Sequence, residues 1–325
     1  MPAKRAKQAN MRTRISASYV VCLLSIVASL FFLSCSASED KTAANVATSP
    51  AESKQVREIR AMMPKIEPFF KRMGKPEAYD WLGSHREPGQ TFDEWLDNKP
   101  TLPTAERNKL YVIPLGEFSA LQKKVIDVTA GYLEAFYGLH VISLPGKPVK
   151  RPLNSKDSRL LKNVKAPQIR TGYLLDDVLK PILPTDAAAL IAFIADDLFP
   201  DTSTGFVFGQ ASMGDRVGVW SLFRLSERAN YDTFLRRTIK IAAHETGHMF
   251  SMHHCIKYEC LMSGTNYLGE TDRRPIDDCP ECMAKVSVLS NVPPVDRYKK
   301  LESYCRSHGL SKDADEFKRK ADAIR

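Results

Sequence analysis

The chain has 325 residues, 43% of them hydrophobic and 26% charged, enough for one sizeable folded domain with appendages or at most two small domains. Its formal net charge is +9, but Lys4, Arg5, Lys7, Arg12 and Arg14 all precede the first acid, Glu39, and without them the remainder is near +4. That is an ordinary balance, and it excludes the broad basic footprint of a nucleic-acid-binding protein.

The first element reads as a targeting segment. A basic, acid-free start leads into Tyr19–Leu33, an apolar run of fifteen residues. A membrane span needs about twenty, so the run suits the core of a signal peptide better. It closes Phe32-Leu33-Ser34-Cys35, which resembles a bacterial lipobox. The resemblance implies a signal peptide over 1–34, cleavage before Cys35 and a lipid on that cysteine; an uncleaved anchor helix is the alternative. Either one tethers the protein in the cell envelope, outside the cytoplasmic membrane, and Ser36 after the cysteine favours an outer membrane where there is one. Residues 36–54 are Ser, Ala, Thr, Asn and charge, the composition of a disordered linker.

An N-terminal helical extension follows over 55–105. Arg57–Arg72 has apolar residues at helical spacing, and Pro64 and Pro68 predict that it breaks into short pieces. Leu110–Ile113 is a predicted strand ended by Pro114. Phe118–Tyr137 is an amphipathic helix with Leu121, Val125, Ile126, Val128, Tyr132, Leu133 and Phe136 on one face. His140–Leu144 is the second strand, so the domain opens strand–helix–strand. Seven Lys and Arg against one acid between Lys147 and Lys165 predict a solvated surface insertion, with docking to anionic lipid as the rival reading. A short helix over Thr171–Leu183 ends at Pro184, and Ala187–Ile194 is the third strand. Asp196, Asp197 and Asp201 are expected to face water. Gly205–Ser212 and Val217–Leu225 are two strand-like runs around a turn at Met213–Arg216.

The chemistry lies between Ile241 and Cys282. His244 and His248 stand four apart and share a helix face, so both reach one metal ion, and Glu245 beside them is placed to take a proton from metal-bound water. His254 follows six residues later, a gap that lets the helix stop and the chain turn back. Three protein ligands with one open position is the pattern of catalytic zinc. His253 is the neighbouring competitor for the third place. Cys255 and Cys260, then Cys279 and Cys282, have the spacing of a closed four-thiolate structural zinc site. In an oxidising envelope two disulfides, Cys255–Cys260 and Cys279–Cys282, are the alternative.

HExxH, a third histidine, an adjacent cysteine, four residues, Cys-x-Met and a final CxxC resemble the archaemetzincin family of zinc metallopeptidases over roughly Thr91 to Val292. The resemblance implies an α+β, metzincin-like zincin domain: a mixed twisted sheet with an antiparallel edge strand, an active-site helix and a small zinc knuckle. It implies two zinc ions per chain, Glu245 as general base for attack on a peptide bond, and Met262 as the Met-turn packed below the zinc. It also implies an edge strand receiving extended substrate, with Phe206, Phe208 and Gly209 as its wall. Ser251 departs from the pattern, since the family has Gly there, at a turn that favours positive φ. The rivals are a zinc hydrolase of other cell-envelope material and a non-catalytic zinc-stabilised binding lipoprotein. The catalytic domain is expected over 106–294, closed by Pro293-Pro294, with a helical tail over 295–325. Expected partners are a peptide or protein substrate and, through the lipid anchor, a membrane; nucleic acid is not among them, and a monomer is expected.

Overall fold

A sheet covered on both faces sets the position of everything else. The computed structural model describes residues 53–325 apart from 153–155, 162–165 and 202. The expected signal peptide, Cys35 and all of the expected linker but Ser53 and Lys54 lie outside the described residues. Ser53 instead caps the first helix, accepting from the Val56 N–H at 3.2 Å.

That helix, α1 (Lys54–Ile66), runs through Pro64 rather than breaking. The proline falls in its last turn and forgoes one i→i−4 hydrogen bond there, while Val56, Ile59 and Ile66 bury against the core and hold the helix in place. Next come α2 (Trp81–Ser84) and α3 (Phe92–Asp97), the latter held by a Thr91/Glu94 capping box with Phe92 and Trp95 buried. The first sheet then begins with β1 (Lys109–Leu115), α4 (Ala120–Tyr137) and β2 (His140–Ser143). β1 passes through Pro114 instead of stopping before it. Its pairing with β2 ends at Val112, and beyond it Pro114 takes part only through its carbonyl, which accepts from the Lys147 N–H at 2.9 Å. On α4, Leu121 is exposed, contrary to its expected place on the apolar face, whereas Val125, Ile126, Tyr132, Leu133 and Phe136 are buried.

The basic insertion is not merely a solvated loop. β3 (Ser158–Leu161) and β4 (Ala166–Arg170) pair antiparallel within it. A helical segment follows, α5 (Thr171–Tyr173), continuing through wider π turns over Leu174–Leu179 and a tighter 3-10 turn over Lys180–Ile182. β5 (Ala187–Ile194) and β6 (Asp197–Phe199) come next, and β6 runs parallel to β4 to complete a second, three-stranded sheet. Asp197 does not face water: it is fully buried and bonded by Arg224 at 2.9 and 2.7 Å and by Gln168 at 2.8 Å. β7 (Gly209–Ala211) and β8 (Val217–Ser221) are shorter than their apolar runs. Val207 bridges to Leu198 of β6 in the other sheet, while Phe208 O accepts from the Ser221 N–H of β8 at 2.9 Å.

The main sheet has the order β2-β1-β5-β8-β7, with parallel neighbours except β7, which is antiparallel at the edge. All eight residues of β5 are buried because both faces are covered. Ile191 and Phe193 point into the core shared with α4, while Leu190 and Ile194 point into a second core with Leu174, Leu175 and Leu179. The remaining elements are α6 (Tyr231–Met249), α7 (Leu268–Arg273), α8 (Pro280–Ser290), α9 (Pro294–Ser307) and α10 (Ser311–Ala323). Tyr298, Leu301 and Phe317 from the last two join the same core as α1, α3, α4 and α6. This is an α+β fold with a mixed sheet.

Candidate metal centre

Helix α6 starts at Asn230, whose side chain accepts from the Thr233 N–H at 2.9 Å. It carries His244 and His248 one turn apart, with Nε2 atoms 3.0 Å from each other. The helix stops at Met249, and Ser251 adopts φ +63°, the left-handed conformation that reverses the chain. Two backbone bonds hold the reversal: Ser251 N–H to His248 O at 2.9 Å and Met252 N–H to Gly247 O at 3.1 Å. The returning strand of chain brings in His254. The ligand atoms of His244, His248 and His254 all lie within 4.8 Å of one another. His253 is exposed and outside this group, its backbone N–H donating to Gln90 at 3.1 Å.

Each ring is fixed from behind. Nδ1 of His244 donates to Leu261 O at 2.9 Å, and Nδ1 of His248 to Met252 O at 2.6 Å. Nδ1 of His254 meets both oxygens of Glu87, at 2.9 and 3.0 Å. With every Nδ1 engaged, three Nε2 lone pairs converge on one point, and that donor set fits a zinc ion with room for one more ligand. Burial pushes the His244 imidazole well below its ordinary pKa and that of His248 down to about 4, so both offer lone pairs at neutral pH.

Glu245 lines the same cleft. Burial raises its carboxyl to about 8, while the nearby Ala211 N–H opposes the shift. Strand β7 passes close beside it: a Cβ on Gly209 would lie 3.2 Å from Glu245 Cγ and 3.0 Å from Trp220 Cβ. Phe206, Phe208 and Gly209 all line the cleft, which has a volume of about 570 Å³. The two phenyl rings stand edge to face at 5.3 Å, and the Arg224 guanidinium covers Phe206 at 3.7 Å. Met262 is fully buried against α6, so close to Gly247 that a Cβ there would meet its Sδ at 2.7 Å.

The four cysteines 255, 260, 279 and 282 form a second cage, all buried and none disulfide-bonded, with ligand atoms again within 4.8 Å. Backbone N–H groups of Met262 and Cys279 donate to the Cys260 sulfur at 3.4 and 3.2 Å. Hydrogen bonds from the other three hold the Cys255 thiol far below its usual range, whereas burial pushes Cys260 and Cys279 up. Four soft donors sharing charge in one buried cage suit a thiophilic dication such as zinc. Cys35 lies outside the described residues.

Spacing along the chain points to the histidines and cysteines but not to the groups that come from far away. Glu87 is 167 residues from His254. Trp81 stacks on His85 at 3.8 Å and sets its edge against His254 at 5.1 Å, closing one side of the cleft. Lys240 and Arg274, both buried, line the cleft as well. Only Lys240 carries a signal in the sequence, lying one turn before His244 on the same helix.

Residues 175–288 match the family described as Peptidase family M54, a window holding all three histidines and all four cysteines. Archaemetzincin-2 of Rattus norvegicus is 33% identical over 257 residues, covering 68% of this chain and 71% of its own. Archaemetzincin of Archaeoglobus fulgidus is 29% identical over 178 residues, covering 55% of this chain and 98% of its own. The crystal structure of that archaeal protein complexed with malonate superposes with a TM-score of 0.44, covering 55% of this chain and 99% of that one at 28% identity. Glu87 and Trp81 lie before the matched window.

Proposed function

Since this chain belongs to the archaemetzincin family and is a zinc metallopeptidase, we propose that it hydrolyses peptide bonds at the three-histidine centre with Glu245 as general base. The observation that carries this reading is the convergence of three Nε2 atoms, each ring anchored at Nδ1, beside a buried carboxylate. Zinc bound by His244, His248 and His254 would polarise the scissile carbonyl and make water nucleophilic near neutral pH. Glu245, its raised carboxyl drawn back to the ionised form by the charge of bound zinc, takes a proton from the water and returns it to the leaving amine. β7, the sheet edge, offers backbone groups to an extended peptide, which Phe206, Phe208 and Gly209 flank. Met262 serves as the apolar floor under the histidines. Cys255, Cys260, Cys279 and Cys282 hold a second, structural zinc that fixes the loop returning from His254, which would make this a metzincin-like domain with a zinc knuckle. For the amino-terminal segment, the short apolar run and Cys35 support a lipid-anchored protein of the cell envelope; palmitate labelling lost in Cys35→Ala would test that.

The direct test is Glu245→Gln. Turnover of a peptide substrate should fall by at least about a hundredfold while zinc stays bound. A Glu245→Gln variant with undiminished turnover would sink the assignment of the base.

A further inference from the structure

The cleft continues past the histidines along α6, and its far end has a chemistry that the hydrolytic residues do not use. Lys240 and Arg274 line it, each with only 7% of its surface exposed. Burying two cations is costly unless negative charge answers them. Arg274 is answered in part. Its Nη2 bonds Glu270 at 3.1 Å and its Nη1 lies 4.0 Å from a Glu259 oxygen, but its Nε is buried with no hydrogen-bond partner. Glu270 is itself fully engaged, accepting from the N–H groups of Trp81 at 3.1 Å and Asn266 at 2.8 Å.

Among the described residues Lys240 has no ion pair. Its ammonium donates to the backbone carbonyls of Thr271 at 3.0 Å and Asp272 at 3.3 Å. The Asp272 carboxylate is taken by Arg237, at 2.8 and 2.7 Å. Glu245 is the one carboxylate among the described residues lining the cleft. The far end therefore carries two largely desolvated cations, while the hydroxyls beside them are already engaged, Ser263 donating to Tyr258 O at 3.1 Å and Thr265 paired with Thr271 at 2.9 Å.

We propose that this end of the cleft is a subsite for an acidic substrate side chain, so that cleavage is selected beside Asp or Glu. The inference rests on the peptidase reading above and deepens it. A carboxylate entering here would answer the charges of Lys240 and the Arg274 guanidinium, and an uncharged amide of the same shape would not. Burial lowers the Lys240 ammonium to about 8, so it still carries its charge at neutral pH and can answer a carboxylate.

The test separates binding from turnover. Zinc-loaded, full-length Glu245→Gln protein is titrated with neutral peptides in which a single Glu, Gln or Lys is moved through the sequence. In the best register the Glu peptide should bind about tenfold or more tighter than its Gln twin, with the Lys peptide weakest. Adding Lys240→Met, which keeps the apolar stem, should erase most of that ratio. Equal affinity for Glu and Gln peptides in every register would overturn the subsite, whether or not the Lys240 variant folds. A ratio unchanged in a folded Lys240→Met protein would overturn the residue assignment. The native chain is assayed in parallel for cleavage of the same peptides. Selective binding without any cleavage would leave the subsite standing and refute the peptidase reading instead.

Discussion

Ser251 is where a single side chain bears on the geometry of the whole centre. It sits at φ +63°, a conformation that costs a residue with a Cβ about 1 kcal/mol. Its hydroxyl offsets that by accepting from the Thr101 N–H at 3.1 Å, a bond worth about 1 kcal/mol. Ser251→Gly trades one for the other and should leave stability within about 1 kcal/mol of the parent. Ser251→Ala keeps the strain and loses the bond, so it should be the less stable variant by about 1 kcal/mol. Denaturant unfolding of the zinc-loaded proteins orders the three, and an Ala variant as stable as the parent would contradict this account. The metal ligands themselves are legible from sequence because helical periodicity fixes His244 against His248, and the Cys pairs are close in the chain. Arg274 carries no such signal, because its meaning depends on which side chains the fold sets around it.

At the scale of elements, β7 and α6 touch at Gly209. A Cβ there would come within 3.0 Å of Trp220 Cβ and 3.2 Å of both Glu245 Cγ and the Val219 carbonyl. Gly209→Ala should therefore displace the base by a few tenths of an ångström, lowering kcat/KM by about tenfold with the fold intact. Unchanged kcat/KM in a folded Gly209→Ala protein would show that Glu245 tolerates the displacement. Apolar runs gave most strands and helices their approximate places, and Ala187–Ile194 is β5 residue for residue. Proline misled where tertiary context decides: Pro64 falls in a last turn, and Pro114 lies past the β2 pairing, where only its carbonyl is used. The basic composition of the insertion hid β3 and β4, whose pairing depends on β6 more than twenty residues away from β4.

On the scale of the whole molecule, the chain before β1 is part of the centre. Trp95 is fully buried and donates to Phe250 O at 3.0 Å, bracing the end of α6. Glu87 reaches His254 from the same region. A carboxylate behind a metal-bound histidine orients the ring and raises its basicity. Glu87→Ala should weaken zinc binding by about tenfold to a hundredfold, read by competition with a chelator, without unfolding the protein. Zinc affinity equal to the parent would mean that Glu87 only packs against the ring. No local pattern could have announced this contact, because it exists only once the amino-terminal helices have docked.

Zinc content per chain tests the central claim most directly, measured on the purified protein and on His248→Ala. Two centres of different design predict two zinc ions per chain, and one in the variant, with the cysteine cage still filled. Zinc content unaffected by His248→Ala would contradict the account, since the histidines would then not hold the ion on which the proposed chemistry depends.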